Sequence, residues 1–158
     1  MSDDLFDLLP RHSLRDRAFA IAARVHYGQR DKAGMPYLLA HVVDVVKRVD
    51  EWDEYAVVVA WLHDVLEDTK GDPAELLALL RREFPSVVVD AVVAITYWPW
   101  QETRDEYYAR VKANPIALTV KRADIASNTD PRRVRMLDPA TRERLAAKYR
   151  HALEVLDS

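Results

Sequence analysis

The sequence predicts an all-α protein, a single bundle of about seven or eight helices. Apolar residues recur at helical spacing along most of the chain, and residues that cap helix starts recur between these stretches. The chain has 158 residues, of which 49% are hydrophobic and 31% are charged, as is typical of one globular domain. We therefore expect residues 1–158 to form a single domain.

Apolar stripes mark the first three predicted helices. Ser13 caps a segment whose apolar residues recur at helical spacing over 14–25, and this helix should end near Gly28. Two further stripes cover 38–49 and 55–66. The first part of the chain is therefore expected to contain three helices in close succession.

Capping side chains mark the starts of the later helices. Three starts place a capping residue directly before a proline: Asp72-Pro73, Asn114-Pro115 and Asp138-Pro139. Proline suits the first helical position because no amide hydrogen bond is needed there. Thr103 and Glu106 have the spacing of a capping box. These signals divide the second half of the chain into helices, the last of which carries an apolar stripe over 145–156.

Residues 87–95 are the one segment whose composition favours a strand, because its valines and isoleucine are stiff, β-branched residues. A lone strand would leave its backbone amides and carbonyls without partners. Since the rest of the chain lacks alternating patterns, we predict a helix here as well.

Composition excludes several kinds of site. The chain has no cysteine, which excludes thiol nucleophiles, thiolate metal sites and disulfides. Its three glycines are too scattered to form either of the two common nucleotide-binding loops. A net charge of −3 and a pI of about 5.9 argue against a nucleic-acid partner and against an anionic membrane.

The sequence also lacks targeting and membrane signals. Residues 1–10 have neither the basic start nor the long apolar run of a signal peptide. No stretch approaches the roughly 20 apolar residues that span a bilayer. We therefore expect a cytoplasmic protein without a membrane partner.

The first candidate site lies where an apolar run meets charged residues. Residues 55–62 are strongly apolar, yet His63, Asp64, Glu67 and Asp68 follow them directly. On a continuous helix, residues four apart share a face, and His63 and Asp64 lie about 100° apart, so that they can converge on one ion. The alternative is a helix end whose acidic residues are merely solvated. Such an end need not place a histidine directly before an aspartate on a buried face.

Two further elements complete the candidate site. Asp124 and Asn128 share a helical face, which by itself is equally consistent with a structural hydrogen-bond network. His41 lies in the second predicted helix. Together with the first element, they provide two histidines and two aspartates from three separate helices.

These motifs resemble the HD-domain metal-dependent phosphohydrolases. Within them the chain most resembles the alarmone hydrolase domain of the RelA/SpoT proteins and its stand-alone relatives, the small alarmone hydrolases, including their metazoan type. The resemblance rests on His41, on the motif HDVLEDT at 63–69 and on the Ala-Asp-x-x-x-Asn element that ends at Asn128. It extends from about Arg17 to Asn128.

The resemblance implies a cofactor and roles for several residues. It implies a divalent cation, manganese in the family, bound by His41, His63, Asp64 and Asp124. It implies an acidic pair that orients and deprotonates the attacking water, Glu67 and Asp68, and an asparagine that contacts the substrate near the ribose, Asn128. The donor chemistry agrees independently, because two imidazoles and two carboxylates without thiolate suit Mn, Fe or Zn.

The implied reaction removes the 3′-pyrophosphate from guanosine tetra- or pentaphosphate. A highly charged substrate needs nearby cations, and the candidates are Arg30, Lys32, Lys121 and Arg122. Two alternatives stay open: another HD phosphohydrolase acting on NADPH or nucleotides, and a non-catalytic nucleotide-binding module. In each case the partner is a small nucleotide, and the sequence leaves a homo-oligomer open.

Three positions depart from the family pattern. Asp31 stands where the long RelA/SpoT enzymes have a basic residue that packs against guanine, and Ile125 and Ser127 replace an Arg and a His. We expect these departures to affect purine recognition more than metal binding.

Overall fold

A computed structural model describes residues 12–158. A π-helical turn, Leu38–Val42, leads directly into the second helix. The α-helices are α1 (Leu14–Val25), α2 (Val43–Arg48), α3 (Glu54–Leu62), α4 (Val65–Asp68), α5 (Pro73–Glu83), α6 (Ser86–Ile95), α7 (Arg104–Ala113), α8 (Pro115–Asn128), α9 (Pro131–Val134) and α10 (Pro139–Asp157). Eight of them have six residues or more, and residues 12–158 contain no strand, only an isolated bridge between Arg30 and Pro36. The predicted all-α bundle is confirmed.

The predicted helix starts are present, because each capping side chain accepts a hydrogen bond from a free backbone amide. These residues are Ser13, Asp72, Thr103, Asn114 and Asp138. Thr103 and Glu106 form a complete capping box. The valine-rich segment is helical, as α6, and packs against α3, α7 and α8. Burial against three helices thus outweighs the strand preference of its side chains.

Helix α8 lies at the centre of the bundle. It packs against α2, α3, α6 and α7, and the helix α3 beside it is buried along most of its length. The C-terminal end of α3 and the C-terminal half of α8 therefore meet inside the protein, and the residues at this junction form the candidate site.

The third apolar stripe is interrupted, where the sequence predicted one continuous helix. Helix α3 ends at Leu62 and α4 begins at Val65, with Asp64 at φ −108° and ψ −1° between them. Nδ1 of His63 contacts the carbonyl oxygen of Ala60 at 2.7 Å, which is the oxygen that a regular helix would offer to the amide of Asp64. The side chain of His63 thus takes the place of the Asp64 amide at the carbonyl oxygen of Ala60.

The structure bears on the predicted absence of a membrane-spanning helix, but not on residues 1–10. No helix in the described part of the chain is long and apolar enough to cross a membrane. The interpretation of residues 1–10 as lacking a signal peptide lies outside the described residues.

Candidate active site

The structure brings the four predicted metal ligands together. Nε2 of His41 lies 3.0 Å from Oδ1 of Asp124 and 3.3 Å from Nε2 of His63. Nε2 of His63 lies 2.9 Å from Oδ2 of Asp64 and 3.8 Å from Oδ1 of Asp124. Both histidines are buried, and the hydroxyl of Tyr37 donates to Oδ2 of Asp64. His41, His63 and Asp64 therefore form one group of closely spaced ligand atoms, and Asp124 on α8 adjoins it through the two histidines.

The spacing of these atoms fits a divalent cation. One ligand atom from each of His41, His63 and Asp64 lies within 4.8 Å of the other two. First-row cations bind nitrogen and oxygen at about 2.0–2.2 Å, so ligand atoms around one ion lie roughly 3 Å apart. The donor set, two imidazoles and two carboxylates, also suits such an ion.

The electrostatics of the cluster favour positive charge. Burial lowers the pKa of His63, but the carboxylates of Asp64 and Asp124 outweigh burial and raise this pKa to about 9. Burial likewise raises the pKa of Asp64, but the neighbouring His63 outweighs it and holds this pKa below its ordinary value. The two carboxylates therefore stay ionised and attract either protons on the imidazoles or a cation between them.

Two predicted substrate residues, Lys121 and Asn128, hold Asp124 in place. Nζ of Lys121 donates to Oδ2 of Asp124, and Nδ2 of Asn128 donates to Oδ1, each across 2.8 Å. Burial lowers the pKa of Lys121, but Asp124 outweighs burial and raises it well above its ordinary value. Both side chains also line the cavity in front of the cluster.

The predicted acidic pair lies at the edge of the cluster, and each carboxylate has a fixed donor. Oδ2 of Asp68 accepts from Nε2 of Gln29 at 2.9 Å, and Oε1 of Glu67 accepts from the backbone amide of Tyr97. Glu67 faces the open cavity, yet partial burial and the nearby charge of Asp64 raise its pKa to about 7. This carboxylate is therefore a good proton acceptor near neutral pH.

A clamp fixes the loop that supplies the Tyr97 amide. The guanidinium of Arg110 donates to the carbonyl oxygen of Thr96 at 3.0 Å and forms an ion pair with Glu102. Oε1 of Glu102 also accepts from the backbone amide of Trp98 at 3.2 Å. The loop is thus tied to α7 on both sides of Tyr97, a support that the sequence analysis did not predict.

A cavity of about 380 Å³ opens in front of the cluster. Asp64, Glu67, Asp68 and Asp124 contribute acidic groups to its lining. The predicted cations that line it are Arg30, Lys32 and Lys121. The fourth candidate, Arg122, is not among the described lining residues and instead pairs with Asp157 at 2.7 Å. Arg122 thus lies at the end of α10, away from the cavity lining described for the other cations, and its role in substrate binding stays a prediction.

Three further cations line the cavity and were not predicted from the sequence: Arg104, Arg133 and Lys148. Arg104 lies over the ring of Tyr97, 4.2 Å from its centre. Burial and neighbouring cations lower the pKa of Lys148 to about 8. A lysine three residues after Leu145, on the buried stripe of the last helix, was the one signal that could have revealed it.

Two of the departures from the family pattern, Ser127 and Asp31, contact the same side chain, Arg133. Oγ of Ser127 is 3.1 Å from Nδ1 of His41, and Oδ2 of Asp31 accepts from Nη2 of Arg133 at 3.2 Å. Ser127 thus contacts a proposed metal ligand, and the expectation that it affects mainly purine recognition is not what the geometry favours.

Comparison with known proteins finds similar sequences. No protein-family model matches the chain. Over 150 residues, 89% of the chain, it is 32% identical to a protein of Streptomyces coelicolor named GTP pyrophosphokinase. Over 144 residues, 85% of the chain, it is 31% identical to a Synechocystis protein named probable guanosine-3′,5′-bis(diphosphate) 3′-pyrophosphohydrolase. The chain is therefore similar, over most of its own length, to one segment of these longer proteins.

A solved structure has the same fold as this chain. The structure, described as a metazoan ortholog of SpoT that hydrolyses ppGpp, matches with a TM-score of 0.71 over 92% of this chain and 86% of the other. The two sequences are 21% identical, so this likeness supports the fold. The chain spans 16% and 18% of the lengths of the Streptomyces and Synechocystis relatives.

Proposed function

We propose that this protein is a metal-dependent hydrolase that removes the 3′-pyrophosphate from guanosine tetra- or pentaphosphate. The observation that carries the proposal is one arrangement: the cluster of His41, His63, Asp64 and Asp124 opens, beside two carboxylates, into a cavity lined by cations. A polyanionic substrate suits such a cavity, and the names of the relatives point to guanosine bis(diphosphate).

The proposed cofactor of this enzyme is a divalent cation, and we propose that this cation is Mn²⁺. The residues that would bind it are His41, His63, Asp64 and Asp124. When bound, a divalent cation makes a contacting water more acidic and offsets negative charge on phosphate oxygens. Hard oxygen donors with two imidazoles and no thiolate are compatible with Mn²⁺.

The reaction needs a proton acceptor next to the attacking water. Oxygen of the water bonds to the phosphorus attached to the ribose 3′-oxygen, and the bond between that phosphorus and the 3′-oxygen breaks. Asp68 orients the water, and Glu67 accepts the proton that the water loses. Glu67 then gives this proton up, and the 3′-oxygen leaves as a hydroxyl group after taking up one proton, so that no net proton is gained or lost in this exchange. The products are pyrophosphate and GDP from the tetraphosphate, or GTP from the pentaphosphate.

The cations of the cavity hold the remaining phosphates. Lys32, Arg104 and Lys148 lie on the cavity wall, and each offers donors that suit phosphate oxygens. Arg30, Lys121 and Asn128 are the further substrate contacts in this proposal. Lys121 and Asn128 also hold Asp124.

The deciding experiment identifies the phosphorus products. The protein is loaded with Mn²⁺ and incubated separately with guanosine tetraphosphate, NADPH and deoxynucleotides, and the products are followed by ³¹P NMR. We expect pyrophosphate and GDP from guanosine tetraphosphate, and no reaction with excess EDTA or with the His63→Gln variant. Orthophosphate from NADPH or from a nucleotide, without turnover of guanosine tetraphosphate, would assign another HD phosphohydrolase. Binding without turnover would assign a nucleotide-binding module.

Three further expectations stay predictions: the single domain over 1–158, the cytoplasmic location and the choice between a monomer and a homo-oligomer. Size-exclusion chromatography with light scattering measures the last of them directly.

A further inference from the structure

The two histidines of the cluster differ in what lies behind them. Nδ1 of His63 contacts the carbonyl oxygen of Ala60, which can only accept a hydrogen bond. Nδ1 of His63 therefore carries a proton, and a neutral His63 offers the lone pair of Nε2 to the cluster. Behind His41 two different partners compete: Nδ1 faces Oγ of Ser127 at 3.1 Å and Nη1 of Arg133 at 2.8 Å.

Arg133 and Ser127 favour opposite tautomers of His41. A guanidinium can only donate, so a hydrogen bond from Arg133 to Nδ1 places the proton of a neutral His41 on Nε2. Oδ1 of Asp124 can then accept that proton, at 3.0 Å from Nε2. This tautomer has no lone pair at Nε2 for a cation. The other tautomer has its proton on Nδ1, donates to Ser127 and leaves Nε2 free to bind.

Ser127 is held so that its oxygen faces His41 as an acceptor. Its side chain is fully buried, and its hydroxyl is one of the groups that hold the pKa of the Asp44 carboxyl group below its ordinary value. Burial raises the pKa of Asp44, but hydrogen bonds from Arg48 and Ser127 outweigh it and hold this pKa below its ordinary value. An ionised carboxylate only accepts, so the hydroxyl proton of Ser127 points to Asp44.

Arg133 is held in place by the turn that precedes α2. Its Nη2 donates to Oδ2 of Asp31, and Oδ1 of Asp31 accepts from the backbone amides of Ala33 and Met35 at 2.9 Å each. Nη1 of Arg133 lies 3.1 Å from Oγ of Ser127, close to its distance from His41. The guanidinium can therefore give up His41 and keep Ser127 without leaving Asp31.

We propose that Ser127, oriented by Asp44, is a positioning residue that fixes His41 in the tautomer that binds the cation, while Arg133 stabilises the metal-free tautomer. This inference rests on the metal site of the proposed function. It extends that site to a hydrogen-bonded chain from Asp44 through Ser127 to His41, of the kind that commonly orients metal-bound histidines.

The first test measures cation affinity by isothermal titration calorimetry with MnCl₂. Ser127→Ala should weaken binding by about 10- to 100-fold, the usual effect of removing a partner behind a metal ligand. Ser127→Thr keeps the hydroxyl and should restore most of the affinity. Thr129→Ala is the matched control, because the hydroxyl of Thr129 donates to the carbonyl oxygen of Ile125. The affinity of this variant should equal that of the wild type.

The second test reads the tautomer itself in metal-free protein, by long-range ¹H–¹⁵N NMR of the histidine rings. His41 should carry its proton on Nε2 in the wild type and on Nδ1 in Arg133→Met. This measurement keeps the inference testable if Ser127→Ala fails to fold.

The outcomes separate this inference from the function it rests on. Wild-type protein that binds no Mn²⁺ would overturn the metal site and the inference together. Tight binding by the wild type with equal binding by a folded Ser127→Ala would overturn the inference alone, as would the same His41 tautomer in the wild type and in Arg133→Met.

Discussion

The side-chain Nε2 of Gln29 donates to Oδ2 of Asp68 across 2.9 Å, and the side-chain Oε1 of Gln29 lies 2.8 Å from Nδ1 of His26. His26 is buried at the C-terminal end of α1. Two hydrogen bonds therefore connect the end of α1 to the acidic pair of the site. The connection fixes the direction in which the Asp68 carboxylate faces.

Loss of this connection should slow turnover without emptying the metal site. Gln29→Leu removes the donor to Asp68, and a hydrogen bond to a charged group contributes about 1.5–3 kcal/mol. We expect kcat to fall by about 10- to 100-fold while the metal content stays unchanged. Gln101→Leu, at an exposed position, is the control and should behave like the wild type. An unchanged kcat in Gln29→Leu would show that Asp68 needs no orientation from Gln29.

Glu67→Gln tests the proton acceptor. The glutamine can still accept from the Tyr97 amide, so the loop and the metal ligands should stay in place. Turnover should drop by about 10²- to 10⁴-fold, the usual effect of losing a general base, while bound metal measured by elemental analysis stays the same. A rate equal to that of the wild type would make Glu67 a structural residue.

The same residue predicts an acidic limb in the pH profile. Partial burial and Asp64 raise the pKa of Glu67 to about 7, and only the ionised carboxylate can accept a proton. Wild-type kcat should therefore fall as the pH decreases through this pKa, and the positive charge of a bound cation moves the limb to lower pH. The residual activity of Glu67→Gln should lack this limb. The same limb in both proteins would assign it to another group.

Lys148 predicts a basic limb in substrate binding. Burial and the neighbouring Arg104 lower the pKa of Lys148 to about 8, so its positive charge is present below that pH and lost above it. The KM for guanosine tetraphosphate should rise above about pH 8 in the wild type, whereas Lys148→Arg should keep a low KM there. Lys148→Met should raise KM by about 10-fold at pH 7, and exposed Lys70→Met should not. A KM in Lys148→Met equal to that of the wild type would remove Lys148 from the substrate site.

Local signals in the sequence were sufficient for most of the fold. Caps such as Asp72 and Thr103 act within one helical turn, so their hydrogen bonds can be predicted from spacing alone. The valine-rich helix α6 could be predicted only by elimination, because its residues prefer strands and burial against three helices decides their conformation.

In the candidate site, too, some residues could be predicted from the sequence, whereas the contacts that depend on the fold could not. His63 and Asp64 are neighbours in sequence, and the family motif links them to His41 and Asp124, which the structure places at hydrogen-bonding distance. The break between α3 and α4 was not predicted, because it depends on the contact of the His63 ring with Ala60. Arg133 also escaped prediction, since only the folding of α9 over the turn near Asp31 brings it to the site.

The most direct measurement is the metal content of Asp124→Asn. Asparagine keeps the size of the side chain, and its one carbonyl oxygen can still accept from either Lys121 or Asn128, so the variant should fold. It loses the charge that the cation needs. After loading with MnCl₂ and gel filtration, elemental analysis should find about one Mn²⁺ per chain in the wild type and in the exposed control Asp90→Asn, and less than about a tenth of that in Asp124→Asn. Full Mn²⁺ occupancy in a folded Asp124→Asn would contradict a cation held by His41, His63, Asp64 and Asp124.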